Sequence, residues 1–200
     1  MLEDKFLNLE YQRTKFIRFL DSLPEKEKAR ALKALFWAEQ GHQNQFRDSG
    51  VLYIIHPLRS TLILVEELGI QDNRMLCASL MHDLVEDSGY TIEHIESQFG
   101  RETARLVKGA TRTRPENETE EEKLRDKPKK FKEIAESDKN LRLIKLCDIL
   151  DNMRAMEYIP ETHINYPKIS RWKNELKEYV LPIAENTNEK LYNLLSQFSD

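Results

Sequence analysis

Residues 78–87 read Ala78-Ser79-Leu80-Met81-His82-Asp83-Leu84-Val85-Glu86-Asp87, continuing an apolar run that begins at Met75-Leu76-Cys77. The run is greasy enough to be buried, yet it carries a histidine and three acids. Its apolar residues, like those elsewhere in the chain, recur mostly at three- and four-residue spacing, the period of an α-helix. No stretch alternates convincingly as a strand. The fold class expected is all-α, a compact bundle of roughly ten helices.

Working outward from this run sets the other elements. The fourth helix is expected from near Asp72 to Ser88-Gly89 as one piece. Before it, helices are expected over about Glu3–Asp21, Pro24–Gln43 and Tyr53–Leu68, the last stopping at Gly69. A loop, Gln45–Leu52, lies between the second and third. After it, Thr91-Ile92-Glu93-His94 matches a capping-box pattern, and Gly100 divides a fifth helix from a sixth near Glu102–Ala110. Thr111–Glu122 has no apolar period and reads as an exposed loop. Further helices are expected over about Lys129–Ser137, Asn140–Met156, Lys168–Ala184 and Asn188–Phe198.

Charged groups are rarely buried unless paired or bound to metal. A lone histidine in an apolar run is most often a core residue with its hydrogen bond satisfied. His82 and Asp83 in one apolar run, with Asp148 in a second (Leu143-Ile144-Lys145-Leu146-Cys147-Asp148-Ile149-Leu150), make that reading harder to hold. If the fourth helix is continuous, Asp83, Glu86 and Asp87 crowd its C-terminal end, where carboxylates cost about 0.3–1 kcal/mol each. A bound cation reverses that penalty. His82 and Glu86, Asp83 and Asp87, and Asp148 and Asn152 are all four residues apart, which places each pair on one helical face.

The whole chain sets limits. Its 200 residues suit one domain, 40% of them hydrophobic and 33% charged, with a formal net charge of -4. Nothing in that charge favours nucleic-acid binding, so a phosphorylated ligand needs a local basic pocket. The 2 cysteines, Cys77 and Cys147, sit in apolar runs and read as small buried hydrophobes in a reducing compartment. No segment resembles a signal peptide or a membrane span, so a cytoplasmic location and no membrane partner are expected. Oligomeric state has no signature in the sequence.

Several segments together carry a family resemblance: 41–57 (GHQNQFRDSGVLYIIHP), 78–100 (ASLMHDLVEDSGYTIEHIESQFG), 106–113 (LVKGATRT) and 141–154 (LRLIKLCDILDNMR). The chain resembles an HD-domain phosphohydrolase, and more closely the hydrolase domain of RelA/SpoT-type alarmone enzymes. With no synthetase segment after the helical part, it looks like the stand-alone small alarmone hydrolases. The resemblance implies one HD hydrolase domain over 1–200, with an N-terminal helix (1–22), a metal-binding core (23–160) and C-terminal helices (161–200). It implies a metal, usually Mn²⁺ with other divalent ions open, held by His56, His82, Asp83 and Asp148. Glu86 and Asp87 match the family's catalytic pair. Arg47, Ser49, Arg112 and Asn152 match positions facing the nucleotide.

The implied activity is removal of the 3′-pyrophosphate of (p)ppGpp, with a small nucleotide as partner. Four departures bear on it: Asp48 replaces the basic residue that commonly follows Arg47, Leu52 replaces a common Pro, Asp151 stands where a His usually precedes Asn152, and Ala155 stands where Thr is common in the long enzymes. Two other activities therefore stay open at the same site, on (p)ppApp or as an NADPH 2′-phosphatase. A non-catalytic alarmone-binding regulator is the alternative of a different class. His42 is expected to be structural, His94 and His163 to lie on the surface, and Lys129, Lys130 and Arg171 to be solvated more than pocket-forming.

Overall fold

A computed structural model describes residues 5–112 and 118–199; the expected loop at 113–117 lies outside the described residues, as do 1–4 and 200. The architecture is all-α, as the periodicity predicts. Among the described residues there is no strand, only an isolated bridge between Phe46 and Leu52. The helices are α1 (Leu9–Leu20), α2 (Glu25–Gly41), α3 (Ile55–Leu62), α4 (Asn73–Leu80), α5 (Leu84–Asp87), α6 (Ile92–Ala110), α7 (Glu120–Glu136), α8 (Lys139–Ala155), α9 (Ile169–Glu175), α10 (Leu181–Glu185) and α11 (Glu189–Ser196). Single π turns lengthen α3 through Ile63–Glu67 and join α9 to α10 through Leu176–Val180.

Helix α8 is the axis of the molecule. It packs against α3, α4, α6, α7 and α11, and it buries residues on all sides, Leu143, Ile144, Leu146, Cys147 and Leu150 among them. Helices α3 and α4 lie against it and are buried nearly throughout, polar residues such as His56, Arg59 and Ser79 included. Such burial is affordable for a helix because its backbone polar groups are satisfied internally. The two cysteines are free and buried, as expected of small core residues.

The expected fourth helix is broken, and the break makes the site. Helix α4 ends at Leu80; Met81 leaves helical geometry at φ -108°, ψ 10°, and Asp83 caps the four-residue α5. Asp83, Glu86 and Asp87 therefore do not sit at the last turn of a long helix. The helix-end penalty and the His82–Glu86 same-face relation both lapse, because each required continuity across Met81–Asp83. A turn frees His82 and Asp83 to point inward together.

Other boundaries moved for local reasons. Helix α1 starts at Leu9, capped by the Asn8 side chain, so Phe6 leaves the helix. The acidic stretch Glu120–Glu122 is the first turn of α7: Thr119 and Glu122 form a capping box, which supplies what apolar periodicity lacks. The Thr91–His94 capping box forms, and Gly100 (φ 75°, ψ 165°) kinks α6 where the division was expected.

Gly41 controls how closely α2 approaches α5. A Cβ there would lie 2.1 Å from Leu84 Cδ1 and 3.3 Å from the Ser88 side chain. Leu84 is fully buried, so Gly41→Ala should destabilise the fold by about 1–3 kcal/mol through overpacking. Urea unfolding checks this; an unchanged midpoint would show that α5 has room to shift.

Candidate metal centre and cleft

Helix α3, the Met81–Asp83 turn and α8 bring four side chains to one point. His56 Nε2 lies 3.2 Å from His82 Nε2 and 3.2 Å from Asp148 Oδ1. Asp83 Oδ2 lies 3.1 Å from His82 Nε2 and 3.6 Å from His56 Nε2. The donor atoms of His56, His82 and Asp148 all fall within 4.8 Å of one another. All four predicted metal-ligand candidates are thus brought together, two from helices and two from the turn.

The imidazoles are oriented for a cation. His82 Nδ1 donates to the Ser79 carbonyl at 2.7 Å, and His56 Nδ1 donates to Asp151 Oδ2 at 2.7 Å. Each ring therefore turns its Nε2 lone pair to the shared point, facing another lone pair and two carboxylates. That donor set is short of positive charge, and mixed imidazole and carboxylate ligation fits a divalent metal.

The titration behaviour agrees. Burial works to lower the His82 pKa, but the adjoining Asp83 and then Asp148 push it up to about 9. Burial likewise works to raise both acids; His82 outweighs it for Asp83, and Lys145 with His56 outweighs it for Asp148, leaving both well below the usual carboxylate range. Without a metal, a proton on His82 Nε2 fills the same need. The metal and that proton compete, so below about pH 9 loading should release a proton, and apparent metal affinity should rise about tenfold per pH unit. Calorimetry of Mn²⁺ binding in buffers of different ionisation enthalpy reads the proton directly; zero release near pH 7 would contradict this.

Surrounding polar groups hold the acids. Asp148 accepts from Lys145 Nζ on Oδ2 and from Asn152 Nδ2 on Oδ1, each at 2.7 Å. Asp83 Oδ2 accepts from the Tyr53 hydroxyl at 2.7 Å. Tyr53 thus joins the cluster to the cleft that it also lines. Arg47 Nη2 donates to Asn152 Oδ1 at 2.6 Å while its guanidinium lies over the Tyr53 ring at 5.3 Å. Buried His42 packs at a tilt against the Tyr53 ring, centroids 4.8 Å apart, and bonds Gln45, whose amide donates to the Asp87 carbonyl at 2.8 Å. Gln45 therefore ties the Arg47 loop to α5.

A cleft of about 1150 Å³ opens beside this cluster. Arg47, Ser49, Tyr53, Arg112, Lys145 and Asn152 line it, so three lining side chains, Tyr53, Lys145 and Asn152, reach the acids of the cluster. Lys108, Lys127, Lys129 and Lys130 line it as well, which supplies the local basic field that a net charge of -4 does not. Lys129 and Lys130 thus border the cleft rather than only the solvated surface. Glu86 and Asp87 stand beside the cluster on α5 but are not among the lining residues. Glu86 Oε2 accepts the Arg112 amide at 3.1 Å, and the Arg112 side chain pairs with Glu118. At the mouth, Asp48 accepts from Asn165 at 2.9 Å.

Sequence reasoning missed three residues here. They are Lys145, Asp151 and Arg59. Lys145 and Asp151 are ionisable groups in the same largely buried helix as Asp148, the signal that singles it out, whereas Arg59 lies in a mixed segment with no such mark.

A family model described as HD domain matches residues 34–171. The chain belongs to the HD-domain family. The mouse protein named guanosine-3′,5′-bis(diphosphate) 3′-pyrophosphohydrolase MESH1 is 32% identical over 175 residues, which is 86% of this chain and 93% of that protein. A Mycobacterium leprae protein named probable GTP pyrophosphokinase is 39% identical over 150 residues, 74% of this chain but 18% of that protein. The chain spans about a fifth of the length of such longer relatives. A solved structure described as a metazoan ortholog of SpoT that hydrolyzes ppGpp superposes with a TM-score of 0.74 at 28% identity, covering 88% of this chain and 96% of that one. Within the HD-domain family, these relatives place the chain in the RelA/SpoT-homologue group, beside the small stand-alone hydrolases.

Proposed function

We propose that the chain is a manganese-dependent hydrolase that removes the 3′-pyrophosphate of ppGpp or pppGpp, giving GDP or GTP and pyrophosphate. The observation that carries the proposal is the convergence of His56, His82, Asp83 and Asp148 beside a cation-lined cleft. The activity named for the small mouse relative, which this chain matches over nearly its full length, supports the choice of substrate. A soluble nucleotide substrate fits a cytoplasmic enzyme, and no helix among the described residues is long and apolar enough to cross a membrane. The reading takes residues 1–200 as one hydrolase domain.

When bound at the four ligands, a divalent cation supplies Lewis acidity at a phosphate oxygen and lowers the pKa of water. The chain supplies the rest. Of Glu86 and Asp87, one takes a proton from the attacking water as its oxygen bonds to phosphorus. The other returns a proton to the departing ribose 3′-oxygen. Arg112 and Lys145 stand where charge builds on the pyrophosphate. Arg47, Ser49 and Asn152 hold the nucleoside, Arg47 by stacking or by pairing with phosphate.

Arg47→Ala should raise KM about 10- to 100-fold with kcat little changed, the mark of a binding contact made equally in ground and transition states. A collapse of kcat at constant KM would remove Arg47 from that role.

Asp48 is the feature that leaves base preference to experiment, since it puts an acid at the cleft wall. Purified protein with Mn²⁺ should be offered ppGpp, pppGpp, ppApp and NADPH, and the products resolved. Pyrophosphate from the guanosine substrates at the highest kcat/KM is the expected result. Faster release from ppApp, or orthophosphate from NADPH, would reassign the substrate. Metal binding without turnover of any of them would make the chain a sensor.

A further inference from the structure

We propose that Asp151 is a positioning residue for the metal centre, acting through His56 and held in place by Arg59. The inference rests on the metal-centre reading above.

Helix α8 carries Asp148 and Asp151 three residues apart, and the two acids meet opposite edges of one imidazole. Asp148 Oδ1 faces His56 Nε2 at 3.2 Å, while Asp151 Oδ2 accepts from His56 Nδ1 at 2.7 Å. Asp151 has no solvent exposure, so its charge needs local partners. Arg59, three residues beyond His56 on the same face of α3, provides them. Its Nε donates to Oδ1 at 2.7 Å and its Nη2 to Oδ2 at 3.1 Å, the two-point geometry a guanidinium makes with a carboxylate. Arg59 is fixed in turn by the N-terminal segment. Its Nη1 donates to the Phe6 carbonyl at 2.9 Å, and the guanidinium lies 3.7 Å from the Phe6 ring centre. Phe6 itself stacks on Tyr158, just beyond α8.

The arrangement does two things for His56. A carboxylate acceptor pins the proton on Nδ1, which commits Nε2 to the metal. It also makes that nitrogen a stronger donor than one backed by a neutral carbonyl, and His82, backed by the Ser79 carbonyl, is the internal contrast. The Arg59 fork holds both Asp151 oxygens in place, so the carboxylate stays aimed at His56 Nδ1. The departure from the family pattern at residue 151 is thus a buried ion pair attached to a metal ligand, and neither Asp151 nor Arg59 lines the cleft.

Two variants test this. Asp151→Asn keeps shape and removes charge. Arg59→Met with Asp151→Leu replaces the whole buried pair by apolar groups of similar volume, an exchange that proteins often accept without loss of folding. Mn²⁺ affinity is read by calorimetry without substrate, and Co²⁺ absorption reports ligand geometry. Folded variants should bind Mn²⁺ about 10- to 100-fold more weakly and shift the Co²⁺ bands. Wild-type affinity and an unchanged spectrum in either folded variant would overturn the proposal. Histidine ¹⁵N spectra of the unsubstituted, Zn²⁺-loaded protein give a reading independent of folding: His56 must carry its proton on Nδ1, and metal ligation through Nδ1 would refute the role. Wild-type protein that binds Mn²⁺ but leaves ppGpp intact would defeat the proposed substrate and leave the role of Asp151 standing.

Discussion

His82→Ala should abolish tight binding of divalent metal and reduce ppGpp hydrolysis by about 10³-fold or more, the equivalent of several kcal/mol of transition-state stabilisation. The size follows from position. His82 is fully buried, its Nε2 contacts both His56 and Asp83, and its other nitrogen is committed to a backbone carbonyl. No neighbouring donor can turn to replace it. The substitution leaves the Ser79 carbonyl unpartnered, opens a buried cavity and removes the cation that faces Asp83 and Asp148, so circular dichroism must first show that the variant is folded. Calorimetry with Mn²⁺ and a product assay check both halves. Metal binding at wild-type strength in this variant would mean that the centre lies elsewhere.

The second large effect is expected at α5. Glu86→Gln should lower kcat by about 10²- to 10⁴-fold while metal affinity stays within about twofold of wild type, because the change removes a proton carrier and no ligand. Gln keeps an acceptor for the Arg112 amide, so the local geometry persists. Asp87→Asn should behave likewise. Its carbonyl bond from Gln45 does not depend on the side chain, so α5 should stay in place. A loss of metal binding in either variant would make that acid a ligand. Undiminished kcat in both would remove the pair from the reaction.

These two positions also show how far the sequence could be read. His82, Asp83 and Asp148 stood out because ionisable groups in apolar helical runs need a partner, and that rule is local enough to apply without coordinates. The break at Met81–Asp83 was invisible for the opposite reason: the apolar period runs straight through it, and no Gly or Pro marks it. Convergence with His56 and Asp148 decides the backbone there, and that is a long-range matter. Helix α7 was placed too late because its first turn is held by a Thr119–Glu122 capping box, while apolar periodicity detects only a buried face. Asp151 and Arg59 are 92 residues apart, so their pairing has no local signature. Asp151 is nonetheless an acid next to the same apolar run as Asp148, so the rule that buried acids need partners applies to both. Lys145 falls to the same lesson, since a cation three residues before a buried acid on a helix is placed to meet it.

In the proposed reaction one metal centre directs water to the 3′-pyrophosphate of a guanosine alarmone. Hydrolysis of ppGpp in ¹⁸O-enriched water, with Mn²⁺ and after its removal by chelation, tests it most directly. The expected result is one ¹⁸O in each pyrophosphate, none in GDP, and loss of turnover on chelation that added Mn²⁺ restores. Release of orthophosphate, ¹⁸O in the nucleoside, or equal rates with and without metal would contradict it.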